Sequence, residues 1–512
     1  MTLRQQVNLP RSQRRPAFTL VELLVSVAIA LILILGINEV FKISAQTVGT
    51  GQAFSEVTRD ERVAHFSVYT DVLNALTTSQ PALLISSQSV IAFRTQQDAS
   101  NEPSGVPGTI TINGTPQTVS NALASSRNFR IDTLGFFASG DLYQRQTGDP
   151  GQFVSTTTSS NAYIWYGHVL VPNNNQAQNP TVYGTLPPTA PPQLGQALLP
   201  PASPIAGQWF GPGWPDNSTT VRNDNNRFAA DWILGRVAML FIQPPISGTT
   251  NYLTAGASGN VLGSDAIAQD SSPIYSSRYD VVGSSVTQFN TAAATYLKTT
   301  PALPNGFRTP MFFRYQANPF PIKPLSAATM AGVAPVFLRH CSQFIVEYAG
   351  DYLTQDNNPA DVTYGQVTGA TGDNVIDYVI DPVTGARRIR WYGFPRDTNA
   401  DGAIDLIHDV VPLRDVLQAA APNGAGQSAT TTAPWEVFND LTPNSNYAAA
   451  NAVKADSQYI CSWGAESQWP VLSGFGTGVP RMLRITLALD DPDGRLASPQ
   501  IYEYVIDLGS QQ

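Results

Sequence analysis

The hydrophobic and polar positions divide this chain into a short basic start, one long apolar run, an amphipathic stretch and a large body of short alternating segments. Residues 18–37 (FTLVELLVSVAIALILILGI) contain a single charged side chain, Glu22. In a helix that rises about 1.5 Å per residue, this run extends about 30 Å, the thickness of the hydrocarbon core of a bilayer. The pattern therefore predicts a membrane-spanning helix over residues 18–37.

Helical spacing continues beyond the apolar run, because residues three and four apart share one face of a helix. The members of this stripe are Phe54, Val57, Glu61, Ala64, Val68, Val72 and Ala75. Residues 49–51 (GTG) predict a bend or local melting, since each glycine costs about 1 kcal/mol in a helix. Pro81 marks the end of the pattern. We expect residues 38–78 to form an amphipathic stem that packs on a head.

The charges around the apolar run predict its orientation. The arginines of residues 1–17 precede it, and only Lys42 follows within about 20 residues. This places the N-terminus in the cytoplasm and exports the rest of the chain. An ordinary signal peptide is the alternative, but the run is long and no small-x-small cleavage site follows it. A carboxylate at Glu22 costs about 2–3 kcal/mol in hydrocarbon, which points to a function and a partner for it.

Residues 17–26 (AFTLVELLVS) resemble the cleavage and methylation motif of type IV prepilins and type II secretion pseudopilins. The resemblance implies that a prepilin peptidase cuts the bond between Ala17 and Phe18, and that Phe18 becomes N-methylated. Glu22 would be the family's acid, which pairs with the new amine of a neighbouring subunit in the filament. The family usually has glycine before the cut, and Ala17 is a variant of that pattern.

Further segments resemble PilW-type minor pilins and J-type minor pseudopilins. They are residues 36–47 and 56–76, the head segments 129–137, 162–171 and 336–348, and a closing hairpin of 479–490 with 501–506. The implied fold is α+β and pilin-like, with a long N-terminal transmembrane helix packed on an antiparallel β-sheet head. The implied organisation is a leader (1–17), a helix (18–78) and a head (79–512) that carries irregular insertions at about 172–230, 244–330 and 419–450.

The same resemblance implies a structural minor subunit of a pilus or a secretion pseudopilus, at or near its tip. Its partners would be prepilin peptidase, other pilin subunits through the N-terminal helix, and an inner-membrane assembly platform. The protein would cross the inner membrane once and then join a periplasmic or cell-surface filament. A filament-displayed adhesin or substrate-recognition protein is the alternative. A membrane-anchored enzyme is disfavoured, because no catalytic motif is found.

Composition sharpens this picture. Charged residues make up only 13% of the chain, about half the share in an average soluble domain. The net charge is −9, and loss of residues 1–17, with four arginines and no acid, changes it to −13. No basic tract follows the leader, so nucleic-acid binding is not expected.

One segment has the spacing of a calcium loop. The candidate ligands are the side chains of Asp397, Asn399, Asp401 and Asp405 and the backbone carbonyl of Ala403, with Gly402 at the turn. The pattern calls for an acid at its twelfth position, where this chain has His408 followed by Asp409. The sequence leaves two interpretations open, a Ca²⁺ site or a turn held by its own Asp and Asn side chains. No other cofactor is predicted.

The two cysteines, Cys341 and Cys461, both follow the membrane span and would face an oxidising compartment. They predict either a disulfide, which we favour slightly, or two buried thiols. His340 beside Cys341 does not predict a catalytic pair, since adjacent strand residues point to opposite faces.

Strand patterns recur along the head. They cover residues 89–94, 109–112, 232–242, 375–380 and 387–391, the last two joined by a turn at 381–385.

Overall fold

The computed structural model describes part of the chain. The described residues are 19–75, 83–92, 94–95, 108–112, 115–119, 127–147, 155–169, 228–241, 281–282, 336–369, 372–381, 384–396, 409–420, 435–439, 458–463 and 480–508. They fall into two compact units, Met1–Glu56 and Val57–Gln512.

A single helix, α1, runs over Leu20–Ala75. This confirms the long N-terminal helix, whose predicted last residues 76–78 lie outside the described part. The helix continues through Thr50 and Gly51, so the melting predicted there is wrong. Thr50 Oγ1 donates a hydrogen bond to the carbonyl of Gln46, and the modest cost of a glycine is within what a long helix tolerates.

In the second unit, the helix buries the predicted stripe. The buried apolar members are Val57, Ala64, Val68, Val72 and Ala75. Glu61 is also buried. Phe54, in the first unit, is 53% exposed, so its assignment to the buried stripe was wrong.

The remaining described elements are strands, one 3₁₀ helix at Ala229–Asp231 and one short α-helix. They are β1 Leu83–Ala92, β2 Gly108–Ile112, β3 Thr115–Val119, β4 Arg127–Arg130, β5 Thr133–Thr147, β6 Ser155–Val169, β7 Ile233–Phe241, β8 Val281–Val282, β9 Val336–Arg339, β10 Cys341–Ala349, β11 Thr354–Gln355, β12 Val367–Gly369, β13 Tyr378–Ile380, β14 Arg387–Ile389, α2 Leu413–Ala420, β15 Trp435–Asn439, β16 Gln458–Trp463, β17 Met482–Leu489 and β18 Gln500–Asp507.

Two sheets dominate the described part of the head. The larger has nine strands in the order β15-β16-β1-β5-β6-β7-β8, with β4 beside β1 and β9 beside β7. The smaller has the order β10-β17-β18. Among the described strand pairs only β7 and β8 run parallel. The α+β, pilin-like architecture expected from the sequence is therefore present.

One hydrophobic core joins the helix and both sheets. It includes Val68 of α1, Phe136 and Ile164 of the larger sheet, and Val346 and Ile485 of the smaller. The sheets also meet through the backbone, where Asp132 N donates to the carbonyl of Phe344 at 2.9 Å. The amphipathic stretch 57–75 thus lies on the head as an integral part of its core.

Several predicted strands are confirmed with shifted ends. The closing hairpin is β17 paired with β18 over its whole length, and β13 pairs with β14. In the turn between that second pair, Asp381 accepts hydrogen bonds from Thr384 N and Gly385 N. The strand predicted at 89–94 begins earlier and ends sooner, as β1 over Leu83–Ala92. It begins earlier because the apolar residues Leu83, Leu84 and Ile85 form its first part.

Most of the predicted insertions lie outside the described residues. Two strands nevertheless fall within them: β8 within 244–330 and β15 within 419–450. Because β15 pairs with β16 at the edge of the larger sheet, part of the third insertion belongs to the sheet.

Candidate functional site

The first turn of α1 is closed by a reciprocal pair, Thr19 and Glu22. Thr19 N and Thr19 Oγ1 each donate to Glu22 Oε2 at 2.9 Å. Glu22 N donates back to Thr19 Oγ1 at 3.3 Å. This is a capping box, in which the side chains of the capping residue and of the third helical residue satisfy each other's backbone N–H groups. The T-x-x-E pattern was present in the sequence, but only Glu22 was singled out from it.

Glu22, near the start of the apolar run, therefore has its own hydrogen-bond donors, the amide and hydroxyl of Thr19. An isolated carboxylate in hydrocarbon is costly unless it is hydrogen-bonded or neutralised. The Thr19 hydroxyl and amide supply two donors to one carboxylate oxygen, Oε2. The other oxygen, Oε1, is where a further donor or cation can bind. Ala17 and Phe18, predicted to flank the scissile bond, lie outside the described residues.

The helix beyond this pair is apolar and exposed. Leu24, Ile32 and Leu35 have 63%, 70% and 67% of their surface accessible. In the described part of the chain, α1 is the helix that is long and apolar enough to cross a membrane. This exposed apolar surface fits a membrane-anchored helix.

Comparison with known families identifies this segment. Residues 13–38 match the family described as the prokaryotic N-terminal methylation motif. The match covers 26 of the 512 residues and supports a type IV pilin-like or pseudopilin-like protein. The motif implies processing by prepilin peptidase and assembly with other pilins. No curated protein and no solved structure matches the chain.

The pilin-like helix is attached to its head by a buried acid, Asp71. Arg236 of β7 donates to both of its carboxylate oxygens, through Nε at 2.6 Å and Nη2 at 2.9 Å. Tyr166 of β6 donates its hydroxyl to the same carboxylate at 2.5 Å. Burial raises the pKa of Tyr166 well above its usual value, with the Asp71 charge acting in the same direction. The tyrosine therefore remains a proton donor that holds the helix on the sheet.

A second attachment joins the helix to the closing hairpin. Tyr504 of β18 donates its hydroxyl to the buried Glu61 at 2.7 Å. Its ring stacks on His65, with centroids 4.4 Å apart. The sequence placed Glu61 in the apolar stripe but did not indicate its partner. That partner is Tyr504, 443 positions away.

The predicted calcium ligands, Asp397 to Asp405, and His408 lie outside the described residues. The two chain ends that flank this loop are described. Arg396 and Val410 exchange backbone hydrogen bonds at 3.0 and 3.2 Å. Arg396 also pairs with the buried Glu347 at 2.8 Å, and Asp409 is buried. The residues on either side of the predicted calcium segment, Arg396 and Val410, are therefore held together by backbone hydrogen bonds. Among the described residues, no group of three or more His, Cys, Asp or Glu side chains is arranged to hold a metal ion.

Both cysteines are buried free thiols. The disulfide that the sequence slightly favoured is therefore absent, and the alternative of two buried thiols describes this structure. Cys341 begins β10 of the smaller sheet and donates to the Gln343 carbonyl at 3.2 Å. Cys461 lies in the middle of β16 of the larger sheet, opposite Ile85. Burial raises the pKa of the Cys341 thiol well above its usual range, so it is a poor nucleophile.

Asp377 is a buried carboxyl of the head. It accepts hydrogen bonds from Tyr352 N and Leu353 N at 3.0–3.1 Å and from the Tyr392 hydroxyl at 2.5 Å. Burial raises its pKa to about 7, although these hydrogen bonds act in the opposite direction. Its hydrogen bonds connect the segment of Asp377 to the segments of Tyr352 and Tyr392, which is a structural role.

Proposed function

We propose that this chain is a minor subunit of a type IV pilus or a type II secretion pseudopilus, placed at or near the tip of the filament. Prepilin peptidase cuts between Ala17 and Phe18, and Phe18 is N-methylated. Before assembly the chain crosses the inner membrane once, with its N-terminus in the cytoplasm, and is handed to the filament by the inner-membrane assembly platform.

The observation that carries the proposal is the Thr19–Glu22 pair at the start of an exposed apolar helix, inside the matched motif. Both described Thr19 contacts end on Oε2, which leaves Oε1 for the amine of a neighbouring subunit. A carboxylate that is partly satisfied in the membrane can then be neutralised on assembly, which favours the filament over the free subunit.

The size of the head supports a minor role. Residues 79–512 make up most of the chain. A filament of identical subunits packs its heads closely around the helical core, and a head of this bulk is better accommodated at an end.

Mass spectrometry of the N-terminus tests the proposal. Native membranes are prepared from cells with active and with inactivated prepilin peptidase. The expected result is a mature peptide that begins with methylated Phe18 in the first case and an intact leader in the second. An intact leader in cells with active peptidase contradicts the proposal. The variant Glu22→Gln should be processed normally but recovered less in sheared filaments, and Ser26→Ala, one turn along the helix, is its control.

We also propose that the loop beginning at Asp397 binds Ca²⁺. The support is the oxygen-ligand spacing of the sequence and the backbone hydrogen bonds between Arg396 and Val410. A bound ion would stabilise the folded state by mass action. The melting temperature of the full chain should rise with Ca²⁺ and return with chelator, and Asp401→Ala should abolish the rise. An equal melting temperature in Ca²⁺ and chelator contradicts the site.

A further inference from the structure

Strand β18 forms an open edge of the smaller sheet. It pairs with β17 over its whole length, and no described strand of the chain pairs with its other edge. Leu508 N, just beyond β18, donates to the Arg481 carbonyl at 2.7 Å. Backbone groups alternate between the two edges along an antiparallel strand, so the even-numbered residues of β18 bond to β17. The N–H and C=O groups of Ile501, Glu503 and Val505 therefore point to the open edge.

The same three residues carry exposed side chains. Ile501 is 68% exposed and Val505 is 51% exposed, and Glu503 between them is 49% exposed. Because every second side chain of a strand lies on the same face, apolar and acidic side chains alternate along the outer face of β18. Ile501, Glu503 and Val505 together are termed the β18 edge below.

The strand is held firmly from its inner face. Tyr504 donates its hydroxyl to Glu61 of α1 at 2.7 Å, and its ring stacks on His65. The Tyr502 hydroxyl lies 3.4 Å from Thr58 Oγ1. These contacts fix β18 in its extended form in the folded chain. A strand that binds to the β18 edge therefore meets a preorganised surface, which lowers the entropic cost of binding.

The opposite edge of the same sheet is covered, in contrast to the β18 edge. On that side, Asp132 N donates to the Phe344 carbonyl of β10, and Tyr348 of β10 exchanges two backbone hydrogen bonds with Tyr392. Natural proteins often protect an exposed edge with proline, lysine or a bulge. β18 contains no proline or lysine, and its register with β17 is continuous. Such an edge is a template for pairing with another chain.

The acids of β18 select the kind of partner. β18 contains no lysine or arginine, so in a pair of two β18 strands Glu503 and Asp507 face an acid or an aliphatic side chain. Like charges directly opposite each other destabilise a strand pair, and opposite charges stabilise it. Arg484 lies 4.0 Å from Glu503, but it already pairs with the buried Glu347 at 2.5 Å. Glu503 therefore favours a partner strand with a cation over a second copy of β18.

We propose that the β18 edge binds an extended segment of a partner protein as a fourth strand of the smaller sheet. On the face beside Glu503, this segment carries Lys or Arg between two apolar residues, in the pattern apolar-x-basic-x-apolar. Backbone hydrogen bonds supply affinity, and the contacts with Ile501, Glu503 and Val505 supply specificity. The surface belongs to the second unit alone, so the inference goes beyond the proposed function and does not depend on it.

Peptide binding to the full chain in detergent micelles tests the inference. The probe is a fluorescent peptide of the same length as β18, with the sequence KTVTKTVT, whose lysines and valines share one face. The first control peptide, ETVTETVT, carries acids in place of the lysines. The second control is the lysine peptide with N-methyl groups on its valine nitrogens, which removes donors that face the β18 edge. Fluorescence anisotropy measures the affinity of each peptide.

The lysine peptide should bind at least about tenfold more tightly than either control, because each control loses edge hydrogen bonds or the ion pair. Val505→Pro removes one N–H of the open edge and no bond to β17, so it should weaken binding about tenfold at an unchanged melting temperature. Glu503→Lys should reverse the preference in favour of the acidic peptide. Asp361→Lys, at an exposed acid outside β18, is the matched charge control and should keep the original preference.

Equal affinity for the lysine peptide and its N-methylated form overturns the inference, because backbone pairing would then not contribute. No binding of the lysine peptide, or an unchanged preference in Glu503→Lys, also overturns it. If Val505→Pro lowers the melting temperature, Glu503→Lys and the N-methylated peptide decide the question. An oligomer of the unmodified chain that Val505→Pro dissociates would identify a second copy as the occupant and overturn the inference. None of these outcomes concerns N-terminal processing, so each leaves the proposed function intact.

Discussion

Thr19 and Glu22 satisfy each other at the first turn of the long helix, through two hydrogen bonds to Glu22 Oε2 and one returned to Thr19 Oγ1. The acid that enters the apolar environment is therefore anchored by the residue that caps the helix. Thr19 therefore sets the position of the Glu22 carboxylate.

Replacement of Thr19 by valine should loosen this turn. Valine has the shape of threonine without the hydroxyl, so Glu22 loses one donor and its own N–H loses its acceptor. We expect the amides of residues 20–23 to exchange hydrogen about fivefold faster in detergent micelles. Thr19→Ser keeps the hydroxyl and should exchange at the original rate. Equal exchange in Thr19→Val and the unmodified chain would show that the pair does not stabilise the turn.

Asp71 should be the most sensitive polar position on the helix. Asp71→Ala leaves Arg236 and the buried Tyr166 hydroxyl without their shared acceptor. Breaking a buried pair in this way costs about 3 kcal/mol of unfolding free energy. Asp60→Ala, in an exposed ion pair on the same helix, should cost less than about 1 kcal/mol. Urea unfolding of the full chain in detergent measures both, and a similar small change in the two variants would be evidence against the attachment.

The sequence predicted the parts of this fold that depend on local pattern. The helix and the β13–β14 pair follow from periodicity and turn residues close in the chain, and the closing hairpin of β17 and β18 follows from the resemblance to minor pilins. The partners of Asp71 and Glu61 could not be found in this way. Arg236 is 165 residues from Asp71 and Tyr504 is 443 residues from Glu61, and no local pattern encodes such pairing. The same holds for β15, whose short strand lies in a segment rich in Ala, Asn and Thr.

The state of the two cysteines is also not predicted correctly from composition. Two cysteines in a chain predicted to be exported favour a disulfide on compartment grounds, but Cys341 of the smaller sheet and Cys461 of the larger sheet are both free thiols. Alkylation of the denatured, non-reduced chain should label two thiols per molecule. The native chain should label far more slowly, because both side chains are buried. A denatured chain that takes up label only after reduction would contradict the free thiols.

Stability should fall as the pH rises through the titration of Asp377. Burial raises its pKa from 3.8 to about 7, with the charge of Asp351 acting in the same direction. Between these two pH values the unfolded chain has released the proton while the folded chain retains it. The free energy of unfolding therefore falls as the pH rises through this range. The stabilisation is complete below about pH 4 and is lost by about pH 7, with an upper limit of about 4 kcal/mol.

The replacement Asp377→Asn isolates this contribution, because the amide oxygen still accepts hydrogen bonds and no longer titrates. The melting temperature of the unmodified chain should fall more between pH 4.5 and pH 7.5 than that of Asp377→Asn. Asp361→Asn, at an exposed position of the same segment, should behave as the unmodified chain does. Identical pH profiles for the unmodified chain and Asp377→Asn would mean that the three hydrogen bonds outweigh the burial of this carboxyl. The proton on Asp377 would then play no part in the stability of the head.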